Sequence, residues 1–134
     1  MKKLTMYADG ASRGNPGPSS YGVVIESSEG ECIEELREAI GFATNNVAEY
    51  SGLIAGLQRA TELKAEILQV YLDSELIVKQ IKGLYRVKNE GLKPFYQKAI
   101  ALKKEFSKFS IDHVPRAKNA YADALANEAL DLEG

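Results

Sequence analysis

Tyr7-Ala8-Asp9-Gly10-Ala11-Ser12-Arg13-Gly14-Asn15-Pro16-Gly17-Pro18 sets a carboxylate at the end of an apolar strand and follows it at once with a loop rich in glycine and proline. Upstream, Leu4, Met6 and Ala8 alternate with Thr5, Tyr7 and Asp9. That is the two-residue period of a strand, and it places Asp9 on one face with Thr5 and Tyr7. Downstream, the three glycines and two prolines of residues 10–18 enforce tight turns and leave backbone N–H groups open to a partner such as a phosphate. Alone, Asp9-Gly10 is also an ordinary turn dipeptide, so its meaning depends on what the rest of the chain brings to it.

Apolar runs at 21–25 and 32–36, separated by Ser27-Ser28-Glu29-Gly30, read as a hairpin and, with residues 3–9, as a three-stranded antiparallel meander. Thr44-Asn45-Asn46 offers N-caps for a helix reaching about Leu63, whose stripe is Val47, Tyr50, Ile54 and Leu57. Residues 67–72 are nearly continuous apolar sequence, as in a strand covered on both faces, and end abruptly at Asp73-Ser74, a cap for a short helix. A connector from Gly83 to Gly91 leads to a helix with Pro94 in its first turn and Phe95, Ala99, Leu102 and Phe106 on one side. Residues 107–114 alternate as a strand that Pro115 ends. A last helix from about Asn119 carries Ala122, Leu125, Ala126 and Ala129 on one face. The order predicts an α/β fold: one domain over residues 1–130 with a short tail at 131–134, and a mixed sheet with helices on both faces. One edge is antiparallel and the later strands pair in parallel through right-handed crossovers.

At 134 residues the chain is long enough to bury a core without staples. Cys32 is the sole cysteine, so no internal disulfide forms and a reducing, cytoplasmic setting is expected. Met1-Lys2-Lys3 enters a strand directly with no leader, and no apolar run is long enough to cross a bilayer. A net charge of −2 argues against nucleic-acid binding by bulk charge. Its distribution argues the other way. Residues 79–108 hold nine of the seventeen Lys and Arg against Glu90 and Glu105, while residues 26–38 hold six glutamates against Arg37. The basic segment is either a solvated helix face or a phosphate-binding one.

Four acids then occupy comparable places: Asp9 ending the first strand, Glu49 in the first turn of the first helix, Asp73 ending the fourth strand, Asp123 early in the last helix. Each has a plain structural alternative: Glu49 completing a capping box after Asn46, Asp73 as an N-cap, Asp123 as a surface helical acid. If the first and fourth strands are parallel neighbours, Asp9 and Asp73 leave the same edge of the sheet and a packed helix can add Glu49. Gathered carboxylates repel and call for a cation. Oxygen ligands without cysteine suit Mg²⁺ or Mn²⁺. Two such ions roughly 3.5–4 Å apart serve both the attacking and the leaving oxygen of a phosphoryl displacement.

In order and spacing, Tyr7-Ala8-Asp9-Gly10-Ala11, Gly14-Asn15-Pro16-Gly17, Thr44-Asn45-Asn46-Val47-Ala48-Glu49, Asp73-Ser74 and Asn119-Ala120-Tyr121-Ala122-Asp123-Ala124-Leu125-Ala126 resemble the motifs of type 1 ribonucleases H. The resemblance covers almost the whole chain. It implies a ribonuclease H-like fold with sheet order 3-2-1-4-5, and hydrolysis of the RNA strand of RNA/DNA hybrids to 3′-hydroxyl and 5′-phosphate ends. Asp9, Glu49, Asp73 and Asp123 match the family's metal-binding catalytic carboxylates. Gly10, Ala11, Ser12, Asn15, Asn45 and Asn46 match positions touching the hybrid, where ribose 2′-hydroxyls mark the RNA strand. Double-stranded RNA is left open as a further substrate, and a monomer is expected.

Two departures are visible. Many relatives carry a histidine in a longer loop before the last carboxylate, whereas here the connection His113-Val114-Pro115-Arg116-Ala117-Lys118-Asn119 is short. His113 falls in the strand alternation, where packing is expected to hold its ring, and Arg116 is the residue expected to bring charge to the phosphate. The chain also starts at its first strand, without the N-terminal hybrid-binding domain of some relatives, and residues 83–93 look shorter than the basic protrusion of some bacterial members. The competing readings are a catalytically silent nucleic-acid-binding module, which retention of all four acids disfavours, and another nuclease of the same superfold, which the Asn45-Asn46 pair and the Gly/Pro loop disfavour.

Overall fold

A computed structural model describes residues 2–133. Its strands β1 (Lys3–Ser12), β2 (Gly17–Ser27), β3 (Cys32–Ala43), β4 (Ile67–Leu72) and β5 (Lys108–His113) form one sheet in the order β3-β2-β1-β4-β5. β1 pairs antiparallel with β2 and β2 with β3, while β1 pairs parallel with β4 and β4 with β5, as the element order and the resemblance predict. The helices are α1 (Asn45–Glu62), α2 (Glu75–Ile81), α3 (Lys93–Lys103) and α4 (Ala120–Glu133).

Neighbouring residues of β2 point to opposite faces, and two of them identify the layers. A Cβ at Gly22 would lie 2.2 Å from the Ala122 carbonyl oxygen of α4, whereas Val23 meets α1 at Gly56. α1 thus covers one face and α4 the other, with α3 packed on α1. Gly52 and Gly56 each cost a helix roughly 1 kcal/mol. They let α1 lie close on the sheet, since a Cβ at Gly56 would sit 2.4 Å from the Met6 sulfur. The buried face of α1 is therefore wider than the stripe read from the sequence. It includes Ala48, Glu49, Gly52, Leu53, Gly56 and Ala60 alongside Tyr50, Ile54 and Leu57, while Val47 is only half-buried.

Several expectations are corrected. The turn after Asp9 is tighter than a loop over residues 10–18: the β1–β2 ladder continues to Ser12 opposite Ser19, and the Arg13 N–H donates to the Pro18 carbonyl at 2.9 Å. Gly17 is required there, because a Cβ would fall 2.0 Å from the Arg13 carbonyl oxygen. β4 is not covered on both faces. Leu68, Val70 and Leu72 are buried but Ile67, Gln69 and Tyr71 only partly, because α4 packs against β1, β2 and β3 and leaves this side of β4 open. There Tyr71 stacks on Tyr7 with ring centroids 5.2 Å apart. Finally, residues 131–133 continue α4 rather than forming a tail, and Asp131 pairs with Arg13 at 2.6 Å; Gly134, like Met1, lies outside the described residues.

Candidate active site

Three of the four acids come together. One carboxylate oxygen from each of Asp9, Glu49 and Asp73 lies within 4.8 Å of the other two. Strand geometry accounts for Asp9 and Asp73: the parallel β1–β4 ladder ends at Ala8 opposite Leu72, so both acids leave the sheet at the same edge. Glu49 arrives through Gly10. A Cβ there would lie 2.3 Å from the Glu49 nitrogen and 2.4 Å from the Ala48 carbonyl carbon, so only glycine lets α1 approach β1 so closely. Asp123, in the first turn of α4, borders the same cavity of about 400 Å³, together with Gly10, Ala11, Ser12, Asn45 and Arg116.

The structural alternatives for these acids fail on geometry. Thr44 caps α1, its Oγ1 accepting from the Val47 N–H at 3.2 Å. Glu49 is therefore the fifth helical residue, beyond the first turn and outside any capping box. Ser74, not Asp73, caps α2, accepting from the Ile77 N–H at 3.4 Å. Asp9 and Glu49 are each 4 % exposed, an arrangement folding does not favour without a purpose. Burial, and then the charge of Glu49 beside it, pushes the Asp9 carboxyl well above the usual carboxylate range. Burial also raises Glu49, against its hydrogen bond with Asp9, the Gly10 N–H and the charge of Arg116, all of which favour the ionised form.

These residues fit a divalent ion on two counts. Glu49 Oε2 is buried with no hydrogen-bond partner, a costly state for a carboxylate oxygen that a cation would relieve. The donors are all carboxylate oxygens, matching a hard ion.

The candidate substrate contacts divide between two hollows. Ala11 and Ser12 edge the acid cavity, although the Ser12 hydroxyl already donates to the Ala43 carbonyl at 3.0 Å. Asn15, Thr44, Asn45 and Asn46 line a second hollow with Asn89 and Gly91. Asn45 borders both, and its N–H donates to Asn15 Oδ1 at 2.9 Å, fixing the β1–β2 turn to the start of α1.

Arg116 opens a short 3-10 helix (Arg116–Asn119) at the cavity edge. Asn119 is buried and donates from Nδ2 to the Ala8 carbonyl at 2.9 Å, anchoring that helix one residue before Asp9. The expectation that packing holds His113 is wrong: it is exposed. His113 occupies the last rung of the β4–β5 ladder, opposite Leu72, and the covering layer that buries Ile111 does not extend to it. Three residues bordering the cavity were not singled out from the sequence, namely Arg13, Ser74 and Asn127. Asn127 lies four residues beyond Asp123 and donates to its carbonyl at 3.0 Å, so helical spacing from Asp123 could have found it.

Residues 7–129 match the family model described as reverse transcriptase-like. The bifunctional protein Rv2228c of Mycobacterium tuberculosis is 48 % identical over 130 residues, covering 96 % of this chain; the chain spans about a third of that relative, 36 % of its length. The solved N-terminal RNase H domain of that protein superposes with a TM-score of 0.95 at 47 % identity, covering 98 % of this chain and 96 % of that one. LC11-RNase H1, solved in complex with an RNA/DNA hybrid, gives a TM-score of 0.91 at 41 % identity, covering 97 % of this chain and 98 % of that one. A ribonuclease H of Lachnoclostridium phytofermentans is 32 % identical over 148 residues, covering 96 % of this chain and 92 % of the relative. With the sheet order and the acid cluster already matching, this chain belongs to the ribonuclease H family, type 1.

Proposed function

We propose that this chain is an endoribonuclease that hydrolyses the RNA strand of RNA/DNA hybrids, leaving 3′-hydroxyl and 5′-phosphate ends, with Mg²⁺ or Mn²⁺ as cofactor. The observation that carries the reading is the convergence of Asp9, Glu49 and Asp73 within 4.8 Å, in a chain whose relative LC11-RNase H1 is solved with a hybrid. Asp9, Glu49 and Asp73 hold the ions, and Asp123 completes the ligand set from the opposite layer. Two divalent ions bound there stabilise charge on the attacking and leaving oxygens of an in-line displacement. The chain's own residues position the substrate. Asn15, Asn45 and Asn46 take one stretch of backbone at the second hollow, Gly10 to Ser12 face the scissile segment, and Arg116 offers a permanent charge to phosphate oxygens at the cavity edge. No helix is long and apolar enough to cross a membrane. The single cysteine, Cys32, supports a reducing, cytoplasmic setting, where the enzyme works as a monomer.

The test is incubation with matched hybrid, double-stranded RNA and DNA duplexes in Mg²⁺ or Mn²⁺. We expect hybrid cleavage, confined to the RNA strand. Asp73→Asn keeps side-chain volume but removes a ligand charge, so it abolishes cleavage while fold and hybrid binding persist. Undiminished turnover in that variant would sink the four-acid site, and cleavage of DNA duplex alone would favour another nuclease of the same superfold.

A further inference from the structure

Three elements carry the clustered acids, and the spacing of the cluster depends on how each pair of elements is joined. β1 and β4 are joined by the parallel ladder running up to Ala8 and Leu72. β1 and α1 are joined by the close approach of Gly10 to Ala48 and Glu49. The third side of the triangle, from Glu49 on α1 to Asp73 at the entry to α2, has neither a ladder nor a backbone contact of that kind. It has a polar link instead. The hydroxyl of Tyr50, the residue after Glu49, donates to Gln80 Oε1 of α2 at 2.6 Å. Tyr50 is 0 % exposed and Gln80 4 %, so the link lies inside the core, away from water.

We propose that Tyr50 and Gln80 are positioning residues that set the distance between Glu49 and Asp73, and with it the affinity of the site for divalent ions. The inference rests on reading the acids as an ion site. Carboxylates held within 4.8 Å of one another repel whenever ionised, and a structure that must resist that repulsion before an ion arrives needs a brace between the elements bearing them. A buried hydrogen bond suits the task because it is directional and because breaking it strands two polar groups away from water. Apolar contacts alone would let α2 slide, since they are not directional. Neither side chain belongs to the acid cluster, so the pair acts on the geometry of the ligands.

The experiment is calorimetric titration of Mn²⁺ into the substrate-free protein, with melting temperature measured in parallel, for wild type, Tyr50→Phe, Gln80→Met, the double variant, and Asp73→Asn. Each single substitution orphans a buried polar group, so each lowers the melting temperature and weakens Mn²⁺ binding roughly tenfold, the size expected for loss of an outer-shell partner. The double variant leaves no polar group of the pair unsatisfied. It regains melting temperature while its Mn²⁺ affinity stays down, a split that a merely structural role would not give. Should the singles fail to fold, the double variant decides alone: Mn²⁺ affinity within about twofold of wild type, well inside the usual outer-shell effect, overturns the proposal. Wild-type binding that Asp73→Asn abolishes shows the ion site itself to be sound. Absence of Mn²⁺ binding by wild type would overturn the ion-site reading and this proposal with it.

Discussion

Arg116 and His113 are three residues apart and have opposite surroundings. Arg116 borders the acid cavity, and its charge bears on Glu49. His113 ends an edge strand in solvent and its charge bears on Glu75 instead. Arg116→Ala should slow hybrid cleavage at saturating metal by at least tenfold, about 1.4 kcal/mol of barrier, in a protein that remains folded. His113→Ala, as an exposed substitution, should change stability by no more than about 0.5 kcal/mol and leave turnover alone. Steady-state rates and melting curves of the two variants check both, and a slow His113→Ala enzyme would reassign the phosphate-facing charge. Pro115 marks the strand end unambiguously, so the sequence alone puts Arg116 beyond it. His113 is harder to read, because alternation reports which side of a strand a residue occupies and says nothing about where the covering layer stops. Phe109 and Ile111 share that side and are covered, the first in part and the second fully; His113 is one rung too far.

At the scale of elements, the site depends on two glycines that a hydrophobic-periodicity reading passes over. Gly10 admits α1 and Gly22 admits α4, each against backbone atoms that have no rotamer to move. Gly10→Ala must push α1 away from β1, at roughly 1–3 kcal/mol for an overpacked contact, and Glu49 moves with it. Gly22→Ala should cost a similar amount but shifts α4, whose Asp123 stands outside the tight trio. Mn²⁺ titration should therefore show a larger loss of affinity in Gly10→Ala than in Gly22→Ala at matched stability; equal losses would mean that the Gly10 contact does not set the position of Glu49. Long-range approaches of this kind are legible only in part from one chain. Gly52 and Gly56, four apart in a helix they both destabilise, signal a close face, but the partner is visible only once β1 and β2 are in place. By contrast β4 is legible to its ends, because six apolar-rich residues stopped by Asp73-Ser74 leave little choice of boundary.

For the molecule as a whole, two sets of acids act on stability in opposite directions. Asp112, held low by Gln69 and Lys82, and Glu75, held low by Lys79, contribute stability that is lost as pH falls through their depressed values. Both pairs are exposed, so the contribution is small. Asp9 and Glu49 are the reverse case, their carboxyls raised by burial and by the neighbouring acids. The folded chain holds those protons more tightly than the unfolded chain. Their contribution is fully present below the ordinary carboxylate values and is lost as pH rises past them through neutrality, where the ion-free site must carry charge. Metal-free protein should accordingly melt at progressively lower temperature between about pH 5 and pH 8. Asp9→Asn removes one repelling charge, so it should flatten that decline, raising the melting temperature near the upper end and hardly changing it near the lower. Mn²⁺ should stabilise wild type most where the site is most ionised, and should not stabilise Asp9→Asn to a comparable degree. Calorimetric melting of both proteins in chelator and in Mn²⁺ across this range measures all three effects. Parallel pH profiles for the two metal-free proteins would show that the repulsion at the acid cluster is not what limits the stability of the ion-free fold.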